Sequence, residues 1–345
     1  MEHPDAGQQK MKPQIKIVIM AAISLLVLWA GISLGSSSIN LFETVKVLLE
    51  KIFNIDFGTE ARIIAIVWNL RFPRAILAFI IGGAMAASGA VFQSVLKNPL
   101  ASPYILGVSS GASLGAGLVM LTGISIPLIS GFTLPLAGFF FGLLTVFFVI
   151  SFASRLDKSM SNNTVILFGM VFSLFVNAIL TTLTAMYREE LRNLLHWQMG
   201  SFAMKGWAYS GLMLPFLIAG CAIIFRYTRE MDILSFGEEE AQSLGVDALK
   251  IRQRLLACSA ALTGAAVALC GAIGFVDLIA PHLARRIAGS RHCYSLPMSF
   301  LIGGSLLVIT DLMARTIVSP SELPVGAVTA LIGGPFFAWV YFRKR

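Results

Sequence analysis

Apolar and polar positions alternate along this chain on a coarse scale: long hydrophobic runs, many near the length of a bilayer-crossing helix, are separated by short polar breaks. A helix needs roughly 20 apolar residues to cross the hydrocarbon core, and ten such candidates can be drawn: Ile17 to Leu34, Ala75 to Leu96, Tyr104 to Leu121, Leu134 to Ala153, Val165 to Met186, Leu212 to Phe225, Leu255 to Phe275, a short Leu278 to Ile287, Leu296 to Val318, and Val325 to Phe342. Backbone polar groups in lipid must be satisfied within the segment, so these runs predict helices. The expected fold is all-α, a polytopic membrane protein with about ten transmembrane helices in one permease domain over residues 1–345.

One polar break stands out. "SFGEEEAQSLGVD", Ser235 to Asp247, places Glu238, Glu239 and Glu240 side by side between two apolar runs. Ser235 followed three residues later by Glu238 reads as a capping box, the carboxylates suit the first turn of a helix, and Gly245 fits the position after its end. A helix of about nine residues is expected. Phe236, Ala241 and Leu244 cannot all hide on it, so an apolar face should meet the membrane domain or a partner.

Composition agrees with the pattern. Hydrophobic residues make up 57% and charged residues 13% of the 345, with mean hydropathy +0.81, far from the balance of a soluble domain. The net charge of +8 is scattered between spans, so it reads as topology and not as a nucleic-acid surface. With the N-terminal tail (1–16) in the cytoplasm, inside segments hold Lys10, Lys12, Lys16, Lys97, Arg155, Lys158, Arg226, Arg229, Lys250, Arg252, Arg254, Arg285, Arg286, Arg291, Arg343, Lys344 and Arg345. That is 17 of the 26 Lys and Arg, which puts both termini inside by the positive-inside rule. The first apolar run exceeds a signal-peptide core and reads as an uncleaved span. Cys221, Cys258, Cys270 and Cys293 form no CxxC pair, so neither a disulfide framework nor a zinc site is expected, and no other metal site or cofactor is either.

Small residues organise the spans. "IGGAMAASGA", "GVSSGASLGAG" and "SAALTGAAVALCGAIG" allow close helix approach. Gly83-Ala84 then Gly89-Ala90 match Gly264-Ala265 then Gly271-Ala272 in spacing, on spans of opposite direction, as in an inverted repeat.

Several charges break the pattern. Arg71 and Arg74, in "NLRFPRA", and Arg315 fall on the outer side against the positive-inside trend. Arg315 lies four residues after Asp311, so an intrahelical pair would account for it; Arg71 and Arg74 have no evident acidic neighbour. Together the three could form an outer socket for a partner's carboxylates. Asp277 and His282 read either as a proton relay or as local turn residues.

These stretches converge. "RFPRAILAFIIGGAMAASGAVFQSVLKNPLASPYILGVSSGAS", "FGEEEAQSLGV", "GAIGFVDLIAPHLARRIAGSRH" and "DLMARTIVSPSELPVGAVTALIGGPFFAWV" closely resemble the FecCD-type permeases, the membrane subunits of ABC importers for iron-siderophores, haem and cobalamin. The resemblance implies the type II ABC importer architecture, a dimer, most simply of two copies, with the path at its interface, cytoplasmic ATP-binding subunits and an extracytoplasmic substrate-binding protein, in the cytoplasmic membrane. It implies that Leu234 to Leu249 forms two short coupling helices, with Gly237, Glu238, Ala241, Leu244 and Gly245 matching the pattern, and that Arg71, Arg74 and Arg315 dock the binding protein. It further implies a cytoplasmic gate at Asn98 and Leu100 and at Asn162 and Asn163, where small hydroxyl residues are usual. Asp277 stands where the family usually has glycine.

No GxxxxGK[ST] occurs, so energy is expected from a separate ATPase and the chain is not expected to be an enzyme. The rivals are an ion-coupled secondary transporter using Asp311 or the Asp277/His282 pair, and an intramembrane serine protease drawing on Ser109, Ser110 or Ser113 with His282 as base. The cargo is read as an iron-siderophore, with haem and cobalamin behind it.

Overall fold

A computed structural model describes residues 11–35, 37, 39–157, 160–187 and 191–342. Lys10, Lys158, Arg343, Lys344 and Arg345, counted above for topology, lie outside the described residues. The described chain forms α1 (Pro13–Ser33), α2 (Leu41–Phe53), α3 (Ala61–Ile64), α4 (Phe72–Val95), α5 (Val108–Thr122), α6 (Thr133–Leu156), α7 (Asn162–Met186), α8 (Leu191–Gln198), α9 (Trp207–Arg226), α10 (Thr228–Phe236), α11 (Glu238–Ser243), α12 (Ala248–Cys270), α13 (Val276–Ala288), α14 (His292–Thr316) and α15 (Val325–Phe342), with no strand among the described residues.

All ten expected spans coincide with helices. Seven helical stretches among the described residues are long and apolar enough to cross a membrane: α1, the continuous Ala61–Val95, α6, α7, α9, α12 and α14. The others, α5, α13 and α15, are shorter. Two of these follow breaks that the apolar pattern concealed. Residues 103–106 form a 3-10 turn that ends at Gly107, so α5 begins later than expected. The run Leu255 to Phe275 is not one helix either: α12 stops at Cys270 and residues 271–275 leave the helical path. Gly271 has φ +78, and a Cβ there would run into the Trp197 carbonyl oxygen, so this break requires glycine.

Upstream of α4, residues Ala65–Arg71 are wound as a π-helix, with the Phe72 N–H donating to the Val67 carbonyl five residues back. Pro73 follows immediately and has no N–H to donate, a local condition that favours such a register change.

Small residues set the packing. α4 lies against α14, where a Cβ on Gly82 would collide with the Gly303 carbonyl oxygen and one on Gly303 with Ala86. Phe300 covers Gly83 while Phe79 covers Gly304, and the two rings meet edge-on at 5.8 Å. Gly89 rests on the backbone of Asp277, and Gly111 and Gly115 of α5 rest on the Phe141 and Ala137 carbonyls of α6. Such contacts replace the hydrophobic effect as the cohesive force between helices in lipid. The pairing is two-fold in pattern: α4 packs on α14 as α12 packs on α6, and α5 packs on α6 as α13 packs on α14. This is the arrangement an inverted repeat would give.

α4 is mostly buried, whereas α1, α7 and α9 expose most of their apolar length. At the end of α4 carrying Arg71, Trp68, Phe72 and Trp207 cluster with ring centroids 5.1 to 5.3 Å apart, and the Trp207 indole donates to the Trp68 carbonyl at 3.0 Å. Amphipathic rings of this kind favour the membrane–water boundary.

Candidate functional site

Two clusters sit at opposite ends of the long helices. At the first, the π-turn and α4 carry Arg71 and Arg74 toward the C-terminal end of α14, which carries Asp311 and Arg315. The sequence predicts guanidiniums on an outer surface, with an acidic neighbour for Arg315 alone; instead Arg71, Arg74 and Arg315 are 5%, 9% and 5% exposed. Arg71 donates to the Ser33 carbonyl at 2.6 Å and to the Ser37 carbonyl and hydroxyl at 2.5 and 2.9 Å. Arg74 uses both edges of its guanidinium. Nε and one Nη reach Asp311 at 2.8 to 3.1 Å, and the two Nη atoms reach the Glu322 carboxylate at 2.9 and 3.0 Å.

Arg315 donates to the Gly31 carbonyl. Its expected intrahelical pair with Asp311 is present only at 3.7 Å, because Arg74 from the neighbouring helix has taken the near side of that carboxylate. The three arginines and Glu322 line a cavity of about 320 Å³ with Gly35, Ser37 and Lys205. An isolated charge inside a protein is expensive, and here each is offset by a carboxylate or by carbonyl dipoles.

At the second cluster, α10 and α11 fold as a knuckle around Gly237. The expected capping box does not form: the Ser235 hydroxyl donates to the Asp232 carbonyl at 2.6 Å. Gly237 is the residue at which the chain turns into α11, which leaves Ser235 on the preceding helix. Glu238 is freed to pair with Arg252 of α12, whose guanidinium also donates to the Met160 carbonyl at 2.7 Å. The helix is six residues long, not nine, and the two-helix unit begins at Thr228, six residues before Leu234.

Gly245 does terminate α11. It has φ +77, its N–H donates to the Gln242 carbonyl and the Val246 N–H to the Ala241 carbonyl, both at 2.9 Å, which is the Schellman arrangement. Ala241 is fully buried under the knuckle, while Phe236 and Leu244 are 80% and 67% exposed. The middle of α10 is fixed as well, with Asp232 accepting from the His292 backbone N–H at 2.9 Å and lying 2.5 Å from its Nδ1.

Near this end lie the two candidate gate loops. Asn98 accepts the Leu100 N–H at 2.9 Å in a side-chain turn, and Leu100 is 52% exposed. Asn162 and Asn163 open α7. The hydroxyl residues missing from those positions stand beside them: Ser161 and Thr164 share a hydrogen bond of 2.9 Å, and Thr164 donates to Asp157 at 3.0 Å. The 103–106 turn joins the two regions by packing on α7 at Gly169.

Asp277 is 1% exposed and accepts from the Ser102 hydroxyl. Gln93 donates to the Asp277 carbonyl at 3.2 Å and accepts from Arg285. His282 lies edge-on to Phe336 with centroids 6.4 Å apart. Five residues place it about 140° around α13 from Asp277, so the helix turns the two side chains to different neighbours and gives a relay no support. Among the described residues no three His, Cys, Asp or Glu side chains gather as metal ligands.

Sequence reasoning missed Asp311 and Glu322 as partners of Arg74, and Arg252 as the partner of Glu238. Their separations of 237, 248 and 14 residues are not helical spacings. Glu322 in "SPSELPVG" was the available signal, an acid in a polar break facing the same end of the molecule as the arginines.

Helices broken by short turns, a knuckle at one end and a charged cluster at the other define an ABC-importer type of permease. The family profile described as the FecCD transport family matches residues 22–343, and the chain belongs to that family. It is 40% identical over 316 residues to the uncharacterized ABC transporter permease protein YvrB of Bacillus subtilis (strain 168), covering 91% of this chain and 90% of that one. It is 37% identical to the hemin transport system permease protein HmuU of Yersinia pestis, over 81% of this chain and 84% of that one. The fold matches an inward-facing structure of an ABC transporter ascribed to the metal-chelate type, with TM-score 0.82 and 28% identity, over 96% of this chain and 99% of that one. The protein is a multi-pass membrane permease of this importer class, one that works with ATP-binding subunits and a substrate-binding protein.

Proposed function

We propose that this permease carries an iron-siderophore complex into the cytoplasm, driven by ATP hydrolysed on a separate subunit that grips the α10–α11 knuckle. The observation that carries the reading is the knuckle itself. Phe236 and Leu244 project from a segment whose base is tied to α12 by Glu238 and Arg252 and to α14 by Asp232 and His292. Apolar tips on a braced segment suit a cleft in a partner, and the bracing would pass a displacement of the knuckle to α12 and α14. For that displacement to shift an equilibrium, the ATPase must bind the two permease states differently.

The translocation path lies between two copies of the chain. α7 supports this, because its exposed side carries Asn177, Thr181 and Thr182 within a membrane-length helix. Thr181 and Thr182 satisfy their hydroxyls on the Asn177 and Ala178 carbonyls. A primary amide facing lipid would be costly, so a second subunit and a watered path fit this side better than hydrocarbon. Asn98, Leu100, Asn162 and Asn163 form the constriction at the cytoplasmic end, both termini are cytoplasmic, and the arginine end receives the binding protein.

Relatives named as permeases for ferric citrate support an iron chelate as cargo, with haem and cobalamin, each named for other relatives, as the second readings. The test is uptake into proteoliposomes containing the permease, its ATPase and its binding protein. ATP-dependent accumulation of ferric siderophore, outcompeting hemin and cobalamin, is expected. Accumulation of hemin alone would overturn the cargo, and accumulation without ATPase would overturn the mechanism.

A further inference from the structure

The binding-protein end holds a carboxylate site that is already filled from within. Arg74 offers two faces: Asp311, 1% exposed, holds the inner one, and Glu322 holds the outer one with two parallel N–H···O contacts of 2.9 and 3.0 Å. The two carboxylates differ in what surrounds them. Asp311 sits on α14 among Arg74 and Arg315 and has no route to solvent, whereas the Glu322 side chain is 39% exposed. Glu322 lies on the cavity wall with Arg71, Arg74, Arg315 and Lys205, so among the described residues four cationic side chains and one acid border this space. The backbone that follows it is fixed, with the Leu323 N–H donating to the Ala314 carbonyl at 2.8 Å and the Val325 N–H to the Gly200 carbonyl at 3.1 Å. Rotation of the Glu322 side chain alone would therefore uncover the outer face of Arg74.

We propose that Glu322 is a displaceable internal ligand, a stand-in for an external carboxylate, and that an acidic side chain of the binding protein takes its place on Arg74 during docking. This rests on the docking role proposed for the arginine end. An exchange of one bidentate carboxylate for another leaves Arg74 paired throughout, so the buried cation is never exposed to the cost of being alone. It also makes docking a competition. The internal acid, held at high effective concentration, weakens every incoming acid and favours a partner that brings carboxylates in matched positions.

The experiment is to titrate the substrate-binding protein onto the permease–ATPase complex in nanodiscs, for wild type, Glu322→Gln, Glu322→Asp and Arg74→Lys, at several salt concentrations. Glu322→Gln retains Asp311 on Arg74, so the fold is kept. It is expected to bind about fivefold more tightly, at the upper end for a partly exposed ion pair, and with a steeper loss of affinity as salt rises, since docking then creates a charge pair without breaking one. Glu322→Asp should lie between the two. Arg74→Lys keeps the charge and loses the fork, and should weaken docking. Equal or weaker binding by Glu322→Gln overturns the displacement, even if Arg74→Lys weakens docking. Binding indifferent to Arg74→Lys overturns the docking role itself.

Discussion

The two ends of this molecule solve opposite problems. At the arginine end, charge is drawn inward: three guanidiniums that a surface reading leaves in water are buried and held by Asp311, Glu322 and the carbonyls of Gly31, Ser33 and Ser37. At the knuckle, apolar groups are pushed outward, with Phe236 and Leu244 standing in solvent above a buried Ala241. Each end keeps the group that is unfavourable in its place, and each does so with long-range pairing. On the proposed reading, recognition at the first end is set by exchange of charge pairs, and at the second by burial of apolar tips.

The comparison is broken most forcefully at Asp311. Asp311→Ala leaves Arg74 with Glu322 alone and Arg315 without its intrahelical acid, and removing one member of a buried ion pair costs about 3–5 kcal/mol. A large fall in the thermal midpoint of the purified permease is expected, and a midpoint within a degree or two of wild type would show that the arginines are satisfied without it. The knuckle should respond in the opposite way. Phe236→Ala and Leu244→Ala remove exposed groups, so stability should hold while affinity for the ATPase falls by about 1.5–3 kcal/mol for each side chain that becomes buried in the complex. Unaltered ATPase affinity in both variants would remove the apolar tips from the interface.

Smaller effects sharpen the picture. Gly245→Val forces a β-branched residue into φ +77, at about 1–3 kcal/mol, and should loosen ATP hydrolysis from uptake while leaving the protein in the membrane. Tight coupling in that variant would mean that the Schellman turn can be rebuilt without loss. Glu238→Gln is expected to cost about 1 kcal/mol or less, because Gln still accepts a hydrogen bond from Arg252 and Glu238 is 44% exposed. The readout is the same pair of assays, and a loss larger than that of Gly245→Val would move the mechanical tie from the turn to the ion pair.

Much of this architecture is legible in the amino-acid sequence. Length and apolarity locate every span, because a helix in lipid must hide its own backbone and needs a fixed length to do so. Gly245 is legible as a helix terminator because the left-handed position is a local requirement. The capping box at Ser235 misleads for the same local reason: the Ser-x-x-Glu spacing is present, but Gly237 begins a new helix between its members. The break after Cys270 is hidden inside an apolar run, since lipid-facing composition does not change where the backbone turns against Trp197 and Gly200.

Sequence alone establishes that the chain is a helical membrane protein, where its spans lie, and which polar breaks carry chemistry, because these follow from hydropathy and from backbone conformation over a few residues. The state of the charges is a matter of tertiary structure. It takes α4 and α14 packed through Gly82 and Gly303 to set Arg74 against Asp311, 237 positions away, and Glu322. Whether a charge is a surface feature or a buried one depends on what stands beside it in space, and no local spacing records that.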